Sequence, residues 1–248
     1  MRPLHLRLSV LVIGWAAVVA VGAQGRTPPS DAQLRAAVTR SLQDHRLQRG
    51  KDPQVDVSGG IVTLRGQVRS LWEKDETIKW ARAVEGVTTL VSDLVIARAE
   101  SDKKISDAIG DRVLHYGRFT VFDDISARVR DGVVTLEGVV TAQAKADDIQ
   151  DMTSRIQGVQ ALTNRIRVYQ TSQSDDQLRA TIARQIFQDA DLERYARESN
   201  PPIRIIVEHG QVTLKGFVYA ALDKQRIDAI VRPIFGILKL ENQLQVVR

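Results

Sequence analysis

Gly60-Ile-Val-Thr-Leu-Arg-Gly66-Gln-Val68 returns as Gly132-Val-Val-Thr-Leu-Glu-Gly138-Val-Val140 and again as Gly210-Gln-Val-Thr-Leu-Lys-Gly216-Phe-Val218. The first glycines lie 72 and then 78 residues apart, and another glycine follows 20 residues beyond the second in every copy: Gly86, Gly158 and Gly236. A repeat of this period makes each copy one structural unit. Val62/Leu64, Val134/Leu136 and Val212/Leu214 alternate as a half-buried strand does. Just upstream, Val55/Val57, Ile125/Ala127/Val129 and Ile203/Ile205/Val207 alternate too, so a turn at the first glycine predicts a hairpin. The second glycine falls inside a strand, where a missing side chain signals a bulge or a close backbone approach.

Upstream of each hairpin, Leu34/Val38/Leu42, Ile105/Ile109/Val113 and Leu178/Ile182/Ile186 recur every fourth residue, the spacing of one helical face. Ser30-Asp31, Ser101-Asp102 and Ser174-Asp175 supply the N-cap chemistry. A second helix fills the interval to Gly86, Gly158 or Gly236, each read as a C′ residue, and a third strand closes the unit. The expected fold is α+β: three tandem α-β-β-α-β modules, each a small mixed three-stranded sheet with two helices on one face. Module 1 spans 30–98, module 2 spans 99–171 and module 3 spans 172–248, after a lead-in over 24–29. Trp80 aligns with Met152 and Ile230 and is read as core, whereas Trp72 aligns with Ala144 and Leu222 and is read as packing at a partly covered edge.

Residues 1–23 have a separate grammar. Arg2 and Arg7 precede 14 mostly apolar residues, Leu8 to Val21, and Val21-Gly22-Ala23 offers a small-residue cleavage site. That pattern is a secretory signal peptide, and it falls short of the roughly 20 apolar residues that span a bilayer. Cleavage after Ala23 leaves 225 of 248 residues, with no transmembrane segment expected in the mature chain. The absence of Cys suits an oxidising periplasm, or alternatively secretion to the exterior.

Composition narrows the function. The chain is 43% hydrophobic, 26% charged and 5% aromatic, which is ordinary for a globular protein. Its formal charge of +5 falls to +3 without Arg2 and Arg7, and no module holds more than two charges of excess. That is no footprint for nucleic acid. His45, His115 and His209 fall at unrelated places in the repeat, so no metal site is expected. No nucleophile elbow, phosphate loop or dinucleotide glycine motif occurs. Asp123-Asp124 and Asp147-Asp148 do not recur between copies and are read as solvated charge. No catalytic residue, cofactor or enzyme activity is expected.

The motifs G-x-V-T-L-x-G-x-V and G-[VI]-x-x-[VL]-x-N-x-[LI]-x-V, after an acidic start and an apolar helix, resemble the BON domain. That module is named for bacterial osmotically inducible and nodulation proteins. The resemblance covers about residues 30–248; it departs at Ser92 (Asn164 and Asn242 in the other copies), at an insertion around Arg194–Pro202, and at Pro233. It implies a non-enzymatic, exported envelope protein that associates with phospholipid and serves envelope integrity or a stress response. The alternative is an adaptor that binds other envelope proteins through sheet edges or helix faces. For either partner, an anionic phospholipid surface or an envelope protein, the local candidate is the first helix of module 2. There Lys103, Lys104, His115 and Arg118 flank an outward Leu114, while Asp107 and Asp111 share the outer face.

Overall fold

The computed structural model describes residues 28–45, 53–97, 100–198 and 200–247; the expected signal peptide and most of the lead-in lie outside them. Module 1 runs α1 (Asp31–Asp44), β1 (Gln54–Ser58), β2 (Ile61–Val68), α2 (Leu71–Arg82) and β3 (Thr89–Ile96). Module 2 repeats this as α3 (Asp102–Leu114), β4 (Asp124–Arg130), β5 (Val133–Val140), α4 (Gln143–Ser154) and β6 (Ala161–Val168). Module 3 has α5 (Gln173–Phe187), a short α6 (Glu193–Ala196), β7 (Ile203–Glu208), β8 (Gln211–Val218) and α7 (Ala221–Val231). Its last strand is split into β9 (Lys239–Asn242) and β10 (Gln245–Val246).

Every sheet is mixed. The central strand pairs antiparallel with the hairpin strand before it and parallel with the last strand of its own module. The core of each module joins the first-helix stripe to the inward residues of the central strand: Leu34/Val38 with Val62/Leu64, Ile105/Ile109 with Val134/Leu136, and Ile182/Ile186 with Val212/Leu214.

The recurring acid at the first helix has a structural task in all three copies. Asp31 accepts the N–H groups of Gly59 and Gly60 at 2.8 and 2.9 Å, and Asp102 accepts those of Asp131 and Gly132 at the same distances. Asp175 likewise takes His209 and Gly210. One carboxylate thus ties the helix start to the two left-handed residues of the hairpin turn, whose N–H groups converge as an anion-binding pair. These donors hold the Asp31 carboxyl below its ordinary value; at Asp175 burial pushes upward, and the Gly210 and His209 N–H groups, together with Arg179 and Ser172, more than reverse it.

Three local expectations need correction. The N-cap of α5 is Ser172 rather than Ser174, because the helix starts earlier and Asp175 becomes its third residue. Gly86, Gly158 and Gly236 have positive φ but lie beyond the helix caps Ala83, Arg155 and Arg232, inside a following β-turn. Trp80 packs on the shoulder of the core, half-buried, with its ring stacked on His45 at 4.9 Å. Met152 and Ile230 are half-buried too, so the alignment stands; the fully inward stripe is Thr77/Ala81, Ile149/Thr153 and Ile227/Val231.

The Ser92 departure has an observable consequence. Asn164 accepts the Ile166 N–H at 2.9 Å and donates to the Ala146 carbonyl at 3.3 Å, bracing β6 to α4, and Asn242 braces β9 to α7 through Lys224 and Leu244. Ser92 is too short, and its buried hydroxyl has no partner. Asn164→Ala is expected to cost about 1–3 kcal/mol by stranding those groups, and Ser92→Ala close to nothing. Urea unfolding of the two variants checks the contrast.

Candidate functional site

The five residues expected to meet a lipid or partner do not converge on one free basic patch. Lys103 pairs with Asp107 at 2.7 Å, Lys104 with Glu100 at 3.0 Å and Arg118 with Asp148 at 3.5 Å, all exposed. His115 caps α3 and its Nδ1 lies 2.7 Å from the Asp111 carbonyl. Leu114 is 51% exposed and, with Phe119 and Arg204, lines a shallow groove where module 2 meets module 3. Exposed ion pairs of this kind contribute little to stability, so these cations are held loosely.

A denser positive site lies between modules 1 and 2. Arg69, Trp72 and Glu73 from the start of α2 face Arg112 of α3 and Arg155 at the end of α4 across an open cleft. Arg155 stacks on the Trp72 ring, 3.8 Å from its centre, while its guanidinium is held by Asp151 in a two-point contact. Trp72 therefore packs between modules, as its place at a partly covered edge suggested. Arg69 pairs with Glu73 at 3.3 Å. Arg112 has the Met152 carbonyl as its hydrogen-bond acceptor. Burial and the neighbouring Arg155 both lower its pKa, the signature of a cation whose surroundings do not neutralise it. Sequence reasoning missed this cleft because its residues come from three helices in two modules. The one legible signal was the basic character of residues 69, 112 and 155.

The junction between modules 2 and 3 is built around Asp123, which overturns its reading as solvated charge. Asp123 is fully buried. It accepts from Lys145 Nζ at 2.6 Å, the Thr120 N–H at 2.7 Å and the Thr141 N–H at 2.8 Å. Asp124 meets Lys215 of module 3 at 2.7 Å. The loop so anchored lays Val121 and Phe122 against the module 3 core, and the Val121 carbonyl accepts the Ile205 N–H at 2.7 Å. Tyr169 donates to the Phe122 carbonyl, and Arg167 clasps Glu208. The insertion of module 3 is ordered around Tyr195. It is buried, stacked on Tyr219 at 5.4 Å and hydrogen-bonded to the buried Asp223, which also pairs with Arg194.

Among the described residues no group of His, Asp or Glu is placed to hold a metal ion, and no helix is long and apolar enough to cross a membrane. Structural carboxylates, inter-module clasps and one open cationic cleft define a tandem array of α-β-β-α-β modules. The chain belongs to the BON domain family, whose domain matches residues 30–98, 101–170 and 174–248. It is 30% identical over 145 residues to osmotically-inducible protein Y of Escherichia coli (strain K12), a stretch covering 55% of this chain and 72% of that protein. Among solved structures, CdsD, a structural protein of the type III secretion system of Chlamydia trachomatis, aligns at 14% identity with a TM-score of 0.25. The alignment covers 86% of this chain and 91% of that one.

Proposed function

We propose that this is a non-enzymatic, exported protein of the cell envelope, active in osmotic or related stress, that associates with anionic phospholipid. The periplasm is its expected place, given the signal-peptide pattern of residues 1–23 and the osmotically inducible relative. The observation that carries the lipid reading is the cleft in which Arg69, Arg112 and Arg155 meet beside Trp72. Arginine binds phosphate in a planar, two-point geometry, and an amphipathic aromatic suits the headgroup region. The outer face of α3, with Lys103, Lys104, Leu114, His115 and Arg118, supplies a weaker second contact, because Lys103, Lys104 and Arg118 are all paired with carboxylates, whereas Arg112 of the cleft has only a backbone carbonyl.

Co-sedimentation with vesicles of phosphatidylglycerol and phosphatidylcholine, across salt, tests this reading. Binding is expected only with the anionic lipid and should weaken as salt rises. Arg112→Gln with Arg155→Gln should reduce it about thirtyfold, the effect of two surface cations. Lys103→Ser, Lys104→Ser and Arg118→Ser together should reduce it less, with the thermal midpoint nearly unchanged. No binding at any salt would replace this reading with the protein-adaptor one.

A further inference from the structure

Module 2 sits on module 1 through its own turn. In Gln157-Gly158-Val159-Gln160, the Gly158 N–H donates to the Arg69 carbonyl at 3.1 Å and Gln160 Nε2 donates to the Ile96 carbonyl at 3.2 Å. Leu71, at the head of α2, packs against both cores. The seat is therefore the residue after the central strand, the first turn of the second helix and the end of the last strand. Seating covers the turn: Ile156 and Val159 are buried, whereas their counterparts Val84 and Val87 in module 1 are only half-buried.

Among the described residues, no other module covers either half of this contact in module 3. Its turn is Phe235-Gly236-Ile237-Leu238, with Phe235 99% and Leu238 81% exposed. Ile234 and Ile237 are half-buried, as in the unseated module 1. The seat positions of module 3 hold Tyr219, Leu222 (72% exposed) and Val246. The corresponding turn of module 1 is Glu85-Gly86-Val87-Thr88, and the seat of module 2 begins Thr141 and Ala144, so neither offers comparable apolar surface. Exposed apolar residues concentrated in this way mark an interaction site.

We propose that module 3 of one chain stacks on module 3 of a second copy. The Phe235–Leu238 turn of one docks on the Tyr219/Leu222/Val246 seat of the next, repeating between chains the contact that joins modules 1 and 2 within one. Turn and seat lie at opposite ends of the 11-residue α7, about 16 Å apart. A flat lipid surface would need its apolar contacts on one side, whereas opposite ends suit a head-to-tail contact between like modules. Each copy in a contact then keeps one turn or one seat free.

Sedimentation of the purified chain, without lipid, tests this independently of the phospholipid reading. The average mass should rise with concentration. Phe235→Asp with Leu238→Asp removes the turn, and Leu222→Asp removes the seat. Each variant alone should stay monomeric at concentrations at least about tenfold higher, as expected when a central apolar contact is lost. Mixed in equal amounts they should form a 1:1 dimer and nothing larger, because one intact turn meets one intact seat. All positions changed are exposed, so unchanged thermal midpoints confirm folding. A wild-type chain monomeric throughout, association indifferent to the variants, or a mixture that stays monomeric overturns the proposal. Vesicle binding lost in the Phe235/Leu238 variant of a monomeric chain would assign the turn to a membrane instead.

Discussion

Lys145→Met is expected to destabilise the middle module by about 3–5 kcal/mol, the cost of leaving a buried charge without its partner. Asp123 has no exposed surface, and its ammonium partner at 2.6 Å is nearly buried as well. Without Lys145 the carboxylate keeps the Thr120 and Thr141 donors but loses its countercharge. Asp123→Asn added to Lys145→Met should recover part of the loss, since no charge is then stranded, although the amide NH2 replaces the acceptor of one backbone N–H. The pH dependence gives a second readout. Burial raises the Asp123 pKa, but Lys145, Thr141 and Thr120 together outweigh it and hold the group below its ordinary value. A depressed folded pKa contributes stability that is complete above the unfolded value, about 3.9, and disappears as pH falls through the folded one. With Lys145 gone the burial effect is no longer outweighed by a cation, so acid relieves the penalty. The gap between wild type and variant should therefore narrow from about pH 7 to about pH 4, close to the ordinary carboxylate range. Urea unfolding at the two pH values checks this, and an unchanged gap would contradict the buried-pair account. Because Asp123 anchors the loop carrying Val121 and Phe122, protection of the Ile205 N–H should also drop in the variant.

The residue pattern exposed the modules but concealed Asp123, and the physical reason is the same in both cases. Hydrophobic period and turn glycines recur because each module must fold the same sheet under the same two helices, so comparing copies reads them directly. The N–H just past the central strand also needs a partner in every copy. Yet Arg69 N–H uses Glu73, Thr141 N–H uses Asp123 and Tyr219 N–H uses the Tyr195 hydroxyl. The requirement recurs while the residue does not. At one place in the second helix stand Glu73, Lys145 and Asp223, all buried. Where that place is a lysine, the acid arrives from the preceding loop. A search for recurring acids passes over such a solution and dismisses Asp123 as solvated. The contact candidates failed to cluster for a related reason. A helical wheel places Lys103, Lys104 and Arg118 on α3 and just beyond it, but the carboxylates that hold them, Asp107, Glu100 and Asp148, are partly on other elements. The arginine cleft needs three helices, and no single periodicity contains it.

The glycine inside the central strand is required by collision as well as by backbone strain. Gly138 and Gly216 have positive φ, at 134° and 96°, a conformation that costs an L side chain roughly 1–3 kcal/mol. A Cβ at Gly216 would lie 1.9 Å from the Pro202 carbonyl oxygen, and one at Gly138 would lie 2.0 Å from that of Asp124. Gly138→Ala and Gly216→Ala must therefore push away a paired backbone strand, which brings each to about 3–5 kcal/mol when overpacking is added to strain. At Gly138 the displaced residue is Asp124, beside the buried Asp123, so that variant should loosen the link to module 3 as well as its own sheet. Thermal and urea unfolding of the two single variants measures the losses. Losses of only about 1–3 kcal/mol would mean that backbone strain alone decides, and that the close approach of the hairpin strand does not set which residue the central strand must carry.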